Sequence, residues 1–379
     1  MYGKNNDHKN IVIVGAGIGG AAAARTLSAK LDPTKYNLIL INPRPFLVAL
    51  PPTIRASVSN VDNLQDRIFP PLDKIFHNGN GTLVQGKVHS IDKKHGEKGG
   101  SILLDDGQRI SFEILVLSPG SSWTGPIAFP DDAGEMQEFI KNGRIAFDKA
   151  QSIVIGGGGA VGIELAGEIK DIWPHKKVTI VQGDSGLLNA AYPDKFRQRL
   201  ESRTRAYGVD IILNDYVDTF EVGTITGGTG IRTRKGREIK ADLAVSARGP
   251  TPNTSFIITS LGAHVANERG YVKTRPTLQL HDYPDIFALG DIVEWKEQKQ
   301  IGKAQAHAAI VAANVDAYLS GRTLTSYKGS PEMILITLGK NAGMGYIGMM
   351  WGFVLGDWFT RTVKSKGLYI DNLRKSVGY

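Results

Sequence analysis

Two glycine clusters carry the clearest chemistry in this chain of 379 residues. The first is Gly15-Ala16-Gly17-Ile18-Gly19-Gly20 and the second is Gly157-Gly158-Gly159-Ala160-Val161-Gly162, their first glycines 142 residues apart. In a G-x-G-x-x-G spacing the first glycine permits a tight turn and the second lets the backbone approach a pyrophosphate. The last lets a helix pack closely on a strand. Free N–H groups and positive dipole at the helix N-terminus then attract the phosphates. The spacing alone is weak evidence and gains weight when a strand precedes it and a helix follows.

Three further groups could do chemistry. The strand end that usually carries an acidic ribose ligand, ~20 positions on, holds Asn42 in the first unit and Gln182 in the second. Asn42 is either an amide that bonds a ribose hydroxyl or a turn residue before Pro43. Gln182 neither repels nor attracts a 2′-phosphate, so NADH and NADPH both stay open. Glu164 sits two residues past the second fingerprint, where it is either a nicotinamide contact or an exposed helix residue. Asp291 follows an apolar strand in DIFALGD, and is either a carboxylate for polyol hydroxyls or a helix cap. Between them lies the glycine-proline crossover ARGPTPN, which contains Gly249.

The elements needed to position these groups are legible. Residues 10–14 read as a buried strand, 18–30 as an Ala-rich helix and 37–41 as the next strand. The pattern recurs as strand 151–155, helix 160–172 and strand 178–181, which implies two nucleotide-binding domains. Blocks 81–117 and 209–247 read as strands with hairpin turns at DDG and KGRE. A helix is expected from Ala304 to Tyr318, and from Tyr327 a smaller unit rich in Gly, Met and aromatics.

Composition narrows the chemistry. The chain has no cysteine, which excludes disulfides, thiolate zinc, iron–sulfur clusters and thiol catalysis, and no metal site is expected. Lys plus Arg number 45 against 37 Asp plus Glu, a net charge of +8 that suits anionic partners. Nucleic acid is only weakly suggested, since no long basic tract appears. No run reaches the ~18 apolar residues of a membrane span.

In order, GAGIGG, LVLSPGS, GGGAVGIELAGE, ARGPTPN and DIFALGD resemble the glutathione-reductase-like flavoproteins with two dinucleotide-binding domains. IRASVSN (54–60), ELAGEIKDIWPHKKVTIV (164–181), YPDIFALGD and the ending from LGKNAGMG through VKSKGLYI sharpen the likeness. They resemble the apoptosis-inducing-factor-homologous mitochondrion-associated inducer of death, or ferroptosis suppressor, family, in a fungal-type member. The resemblance covers about Asn10 to Lys375.

It implies an α/β fold with two Rossmann-like FAD- and NAD(P)-binding domains of glutathione-reductase type, plus a small C-terminal domain. The boundaries are 1–128 and 249–325 for FAD, 129–248 for NAD(P)H and 326–379 for the C-terminal unit, on the quinone side. It also implies FAD as cofactor, NADH or NADPH as co-substrate, and an FAD-dependent NAD(P)H:quinone oxidoreductase acting on a ubiquinone- or menaquinone-type acceptor, with an antioxidant or cell-death connection. By position, Gly15, Ala16, Gly17, Ile18, Gly19, Gly20, Asn42, Arg55, Val88 (at the adenine), Gly120, Gly290 and Asp291 would meet FAD. Gly157, Gly159, Gly162, Glu164, Gln182 and Gly249 would meet NAD(P)H, and Lys364 and Tyr369 would stand at the quinone. The sequence departs from the family at Asn42, at Ser118-Pro119-Gly120 for the usual Ala-Thr-Gly, and at Tyr2 for a myristoylated glycine.

Mechanistically, the helix starting near Lys303-Ala304-Gln305 would aim its N–H groups at the flavin edge that gains negative charge. Lys303 and His307 are rival proton donors, with solvent or a mere packing role as the alternative. The segment Met349–Phe359, followed by Arg361, Lys364, Lys366, Arg374 and Lys375, reads either as a lipid-interface element or as one packed on the FAD domain. The rival functions are a ferredoxin- or rubredoxin-type reductase and a redox-sensing, signalling or nucleic-acid-binding flavoprotein. A monomer or homodimer is expected. The expected site is the cytosol, with reversible attachment to membranes, lipid droplets or the outer mitochondrial surface.

Overall fold

The computed structural model describes residues 8–218, 224–225, 230–349 and 352–379. Expectations that touch Tyr2, Met350 and Trp351 lie outside the described residues. Two five-stranded sheets organise the chain. The first is parallel, in the order Ile286–Ala288, Ile114–Leu117, Lys9–Val14, Tyr36–Asn42 and Thr82–Gln85. The second runs Val209–Ile212, Lys177–Val181, Ser152–Gly156, Leu243–Ser246 and Thr224–Ile225, the last strand antiparallel. Covered on both faces, the central strands are unbroken Val/Ile/Leu runs, and Ile11, Val12 and Ile13 are fully buried. The strand Ile286–Ala288 returns to the first sheet after the second is complete, so the second domain is inserted into the first.

The fingerprint helices span Ile18–Lys30 and Ala160–Ile172, as their sequence pattern requires. Gly15 has φ +95° and Gly157 +130°, conformations that favour glycine. A Cβ at Gly20 would lie 1.9 Å from the Gly15 carbonyl oxygen, and one at Gly162 would lie 2.0 Å from that of Gly157.

The stretch 81–91 is not one strand. Thr82–Gln85 ends the parallel sheet, and after Gly86 the chain enters an antiparallel sheet of Val88–Asp92, Gly100–Leu104 and Arg109–Phe112. The DDG turn joins its last two strands, and KGRE closes a small hairpin of Ile231–Arg232 with Glu238–Ile239. The long helix begins at Ile301, not Ala304, and runs to Leu319. Gln300 precedes it without a side-chain cap bond and Gly302 lies in its first turn, so the start carries no capping signal.

The C-terminal unit has a three-stranded sheet, Met333–Leu338, Ala342–Ile347 and Phe353–Leu355, then a short helix Asp357–Thr360 and a last helix Ile370–Ser376. It joins existing cores. Ile336, Leu338 and Met344 pack in the core of the second domain, while Val377 joins that of the first. Gly167 makes this possible, since a Cβ there would stand 2.7 Å from Leu338 Cα.

Candidate functional site

Two cavities meet at the head of the long helix. A groove of about 690 Å³ follows the first fingerprint, and a cavity of about 1300 Å³ follows the second. Leu50, Trp123, Lys299, Gln300 and Ile301 line both.

Gly15, Ala16, Gly17, Ile18, Gly19, Asn42, Val88, Gly120, Gly290, Asp291 and Ala304 line the groove. Gly20 does not; it only lets the helix close on the turn. Asn42 Oδ1 accepts the Ala16 N–H at 2.9 Å, and Asn42 Nδ2 donates to the Arg44 carbonyl at 2.7 Å. The amide therefore locks the glycine turn from the strand end. Asp291 Oδ2 accepts the Ser121 hydroxyl at 2.9 Å, and burial pushes its carboxyl above the usual range, against that bond.

These residues fit FAD. A Cβ added at Gly17 would meet nothing within 4 Å, so open space adjoins the turn where a pyrophosphate must approach. The desolvated Asp291 carboxylate accepts one bond and retains acceptor capacity for ribityl hydroxyls.

Three residues named from the sequence do not line the groove. Arg55 lines neither cavity; its guanidinium grips Glu168 at 2.7 and 2.9 Å and donates to the Ser365 carbonyl at 2.8 Å. Burial raises the Glu168 carboxyl, and this fork opposes the shift. Gln305 faces the larger cavity, one residue beyond Ala304 on the helix. His307 is buried and lines neither cavity, so it does not present a proton to a ligand. Its Nδ1 accepts the Gly290 N–H at 3.2 Å, which places its proton on Nε2, 2.9 Å from Glu297 Oε1. Tyr327 donates to the other Glu297 oxygen at 2.9 Å. The Gly290–His307 bond steadies the Gly290–Asp291 turn, with Glu297 held close behind the ring by Tyr327.

Gly157, Gly159, Gln182 and Gly249 line the larger cavity, and Gly162 packs behind Gly157. Glu164, Lys364 and Tyr369 converge in the same space from positions far apart in sequence. Glu164 is buried, not an exposed helix residue. Its Oε1 accepts Lys364 Nζ at 2.5 Å and the Thr337 N–H at 3.0 Å. Lys364 also donates to the Leu335 carbonyl at 2.7 Å. It is therefore not part of a basic rim.

The backbone is irregular where it delivers these groups. Arg361–Ser365 is a π-helical turn carrying Lys364, and Leu368 and Tyr369 have φ +49° and +59°. Such turns and left-handed non-glycine residues concentrate at functional sites. Burial, with the nearby Glu164 charge, pushes the Tyr369 hydroxyl up to about 12. Lys303 also lines the cavity, its ammonium bonded to Glu332.

Sequence reasoning missed Ser121, Glu168 and Lys299. Lys299 lies at the junction of the two cavities and donates to the Val293 carbonyl at 2.5 Å; burial lowers its pKa. Its only signal was a charge just before the long helix. Among the described residues no group of three or more His, Asp or Glu is placed to hold a metal ion.

Comparison with known proteins matches residues 9–312 to the pyridine nucleotide-disulphide oxidoreductase family. The chain is 48% identical over 323 residues to the FAD-dependent oxidoreductase FVFD30 of Flammulina velutipes, covering 85% of this chain and 98% of that one. It is 29% identical over 381 residues to ferroptosis suppressor protein 1 of Mus musculus, covering 97% and 95%. The solved sulfide:quinone oxidoreductase of Aquifex aeolicus shares the fold with a TM-score of 0.76 at 17% identity, over 97% of this chain and 92% of that one. The chain belongs to the pyridine nucleotide-disulphide oxidoreductase family: it is an FAD-binding oxidoreductase with NAD(P)H as electron donor.

Proposed function

We propose that this family member passes reducing equivalents from NAD(P)H through FAD to a quinone. The observation that carries the reading is the far wall of the larger cavity. Met333, Ile334, Leu335, Ile347, Phe359 and Val363 make it apolar, and Lys364 and Tyr369 stand within it. A quinone is a flat apolar ring with two carbonyl oxygens, so it needs an apolar slot with a few placed donors. The chain has no cysteine, so electrons do not leave through a dithiol. The fold likeness to a sulfide:quinone oxidoreductase agrees with this acceptor class.

When bound, FAD accepts a hydride and can release electrons singly or in pairs. The chain's own groups then orient and protonate. Gly157 and Gly159 would hold the pyrophosphate of the donor, and Glu164, on the same cavity wall, would meet its nicotinamide. Lys364 holds its ammonium in place through Glu164 and Leu335, leaving N–H capacity toward the cavity. Tyr369 keeps its phenolic proton at neutral pH and serves as a donor at the acceptor oxygen.

Exposed apolar residues lie on the same unit as the cavity wall. Trp358 is 80% exposed and Phe353 45%, with exposed Arg361 and Lys366 beside them. Among the described residues no helix is long and apolar enough to cross a membrane. Our reading is peripheral contact with an anionic lipid surface from the cytosol, which would admit a long-tailed quinone sideways.

The test is steady-state turnover with NADH and a short-chain ubiquinone, comparing wild type with Tyr369→Ala at equal FAD content. Quinone turnover falling about tenfold or more in the variant, with flavin reduction retained, supports the reading. No turnover in the wild type, or efficient transfer to an iron–sulfur protein instead, contradicts it.

A further inference from the structure

We propose that Asp184 selects the coenzyme, favouring NADH over NADPH, although the strand-end position that usually decides this holds Gln182. The inference rests on NAD(P)H occupying the larger cavity by its fingerprint.

Both ends of the Gln182 amide are engaged. Its Oε1 accepts the Gly158 N–H at 2.7 Å, which fixes the glycine turn. Its Nε2 donates to Asp184 Oδ2 at 3.2 Å. The amide thus presents the carboxylate of the next residue but one, and Gln182, Gly183 and Asp184 all line the cavity. Gly183 presses on Tyr216, since a Cβ there would stand 2.1 Å from the ring. Glycine at this position lets the chain run close against the exposed Tyr216 ring, with Asp184 held beside the strand end.

The cations nearby are engaged elsewhere. Arg234 lines the cavity, but its Nε lies 3.3 Å from Asp218 Oδ1 and its guanidinium rests over Tyr216, 5.4 Å from the ring centre. Arg248 donates to the Val217 carbonyl. Among the described residues Asp184 makes no salt bridge with Lys, Arg or His. A carboxylate so placed accepts hydrogen bonds from the two ribose hydroxyls and repels a 2′-phosphate. The first domain makes the contrast. There the same amide, Asn42, is followed two residues on by Arg44, whose carbonyl takes the amide N–H.

The experiment uses FAD-loaded protein and two readouts. Calorimetry compares ADP with 2′-phospho-ADP, and anaerobic flavin bleaching compares NADH with NADPH, in wild type and Asp184→Ser. The wild type is expected to favour the unphosphorylated ligands by about tenfold or more, and Asp184→Ser to narrow that ratio by about tenfold. Asp184 is exposed, so the variant keeps its fold, and unchanged FAD content checks this. Equal use of both coenzymes by the wild type, as would follow if Arg234 met the 2′-phosphate, overturns the proposal. So does a ratio that Asp184→Ser leaves unmoved. Binding of neither nucleotide overturns the nucleotide site itself and is distinguishable from both.

Discussion

The two halves of the molecule build the same glycine turn and then cover its helix differently. In each, an amide from the strand end accepts an N–H of the turn: Asn42 to Ala16 at 2.9 Å and Gln182 to Gly158 at 2.7 Å. In each, the last glycine lets the helix close on the first. Past that point they diverge. The first helix packs on the long helix Ile301–Leu319, and Gly19 allows it, since a Cβ there would sit 2.6 Å from the Leu289 side chain and 3.3 Å from the Ala304 carbonyl. The second helix carries Glu164 and Glu168 where the first has Ala22 and Thr26, and these carboxylates take Lys364 and Arg55. Apolar cover closes a narrow groove suited to a resident cofactor. Ion-paired cover brings the C-terminal segment to a wider cavity, where ligands must come and go.

The sharpest way to break this comparison is to exchange the glycines. Gly20→Ala should abolish FAD binding, because its Cβ overlaps the Gly15 carbonyl. Gly162→Ala should leave the protein yellow but unreduced by NADH. Loss of FAD in both variants would show that the halves are not separable.

A smaller but still large effect is expected at Glu164. Glu164→Ala leaves the Lys364 ammonium buried and unpaired, a destabilisation of about 3–5 kcal/mol. FAD should stay bound while bleaching by NADH slows. Ala22→Ser, at the equivalent place in the first helix, should leave both intact. Urea unfolding together with stopped-flow absorbance reads the two effects, and a Glu164→Ala protein reduced at the wild-type rate would remove the residue from the site.

Asp291 should show function set against stability. Its carboxyl is raised in the folded protein, so its contribution to stability is full at low pH and is lost as pH rises through the folded value. At neutral pH Asp291→Asn should therefore raise the Tm of the FAD-free protein slightly while weakening FAD binding. A variant that loses Tm and keeps FAD would contradict the cofactor role.

The mildest prediction concerns pH. With its hydroxyl pushed up to about 12, Tyr369 keeps its proton through the range in which an ordinary tyrosine loses it, near 10. Quinone reduction should therefore hold its rate past pH 10. A fall centred at 10 that Tyr369→Phe removes would show an ordinary, solvated hydroxyl.

Much of this was legible in the sequence because it is local. The two fingerprint helices need only a strand, a glycine turn and an Ala-rich run, and their bounds follow from those residues. What stayed hidden depends on distant partners. Arg55 finds Glu168 and Ser365 at separations of 113 and 310 positions, so its likeness to a flavin contact gave way to a buried ion pair. Lys364, set at the quinone side by resemblance, shows no partner in sequence until the π-helical turn folds it onto Glu164, 200 positions away. The dual use of Asn42 and Gln182 was missed for a related reason: an amide bonded back to the glycine turn looks, in sequence, like any polar strand end.

The most direct test of the central claim is sequential-mixing anaerobic stopped-flow on the purified, FAD-loaded protein. NADH is mixed first and bleaching followed; a short-chain ubiquinone is mixed next and reoxidation followed. The account predicts fast bleaching, then reoxidation by quinone that outpaces reoxidation by dissolved oxygen. Fast bleaching followed by quinone reoxidation no faster than that by oxygen would contradict a quinone acceptor.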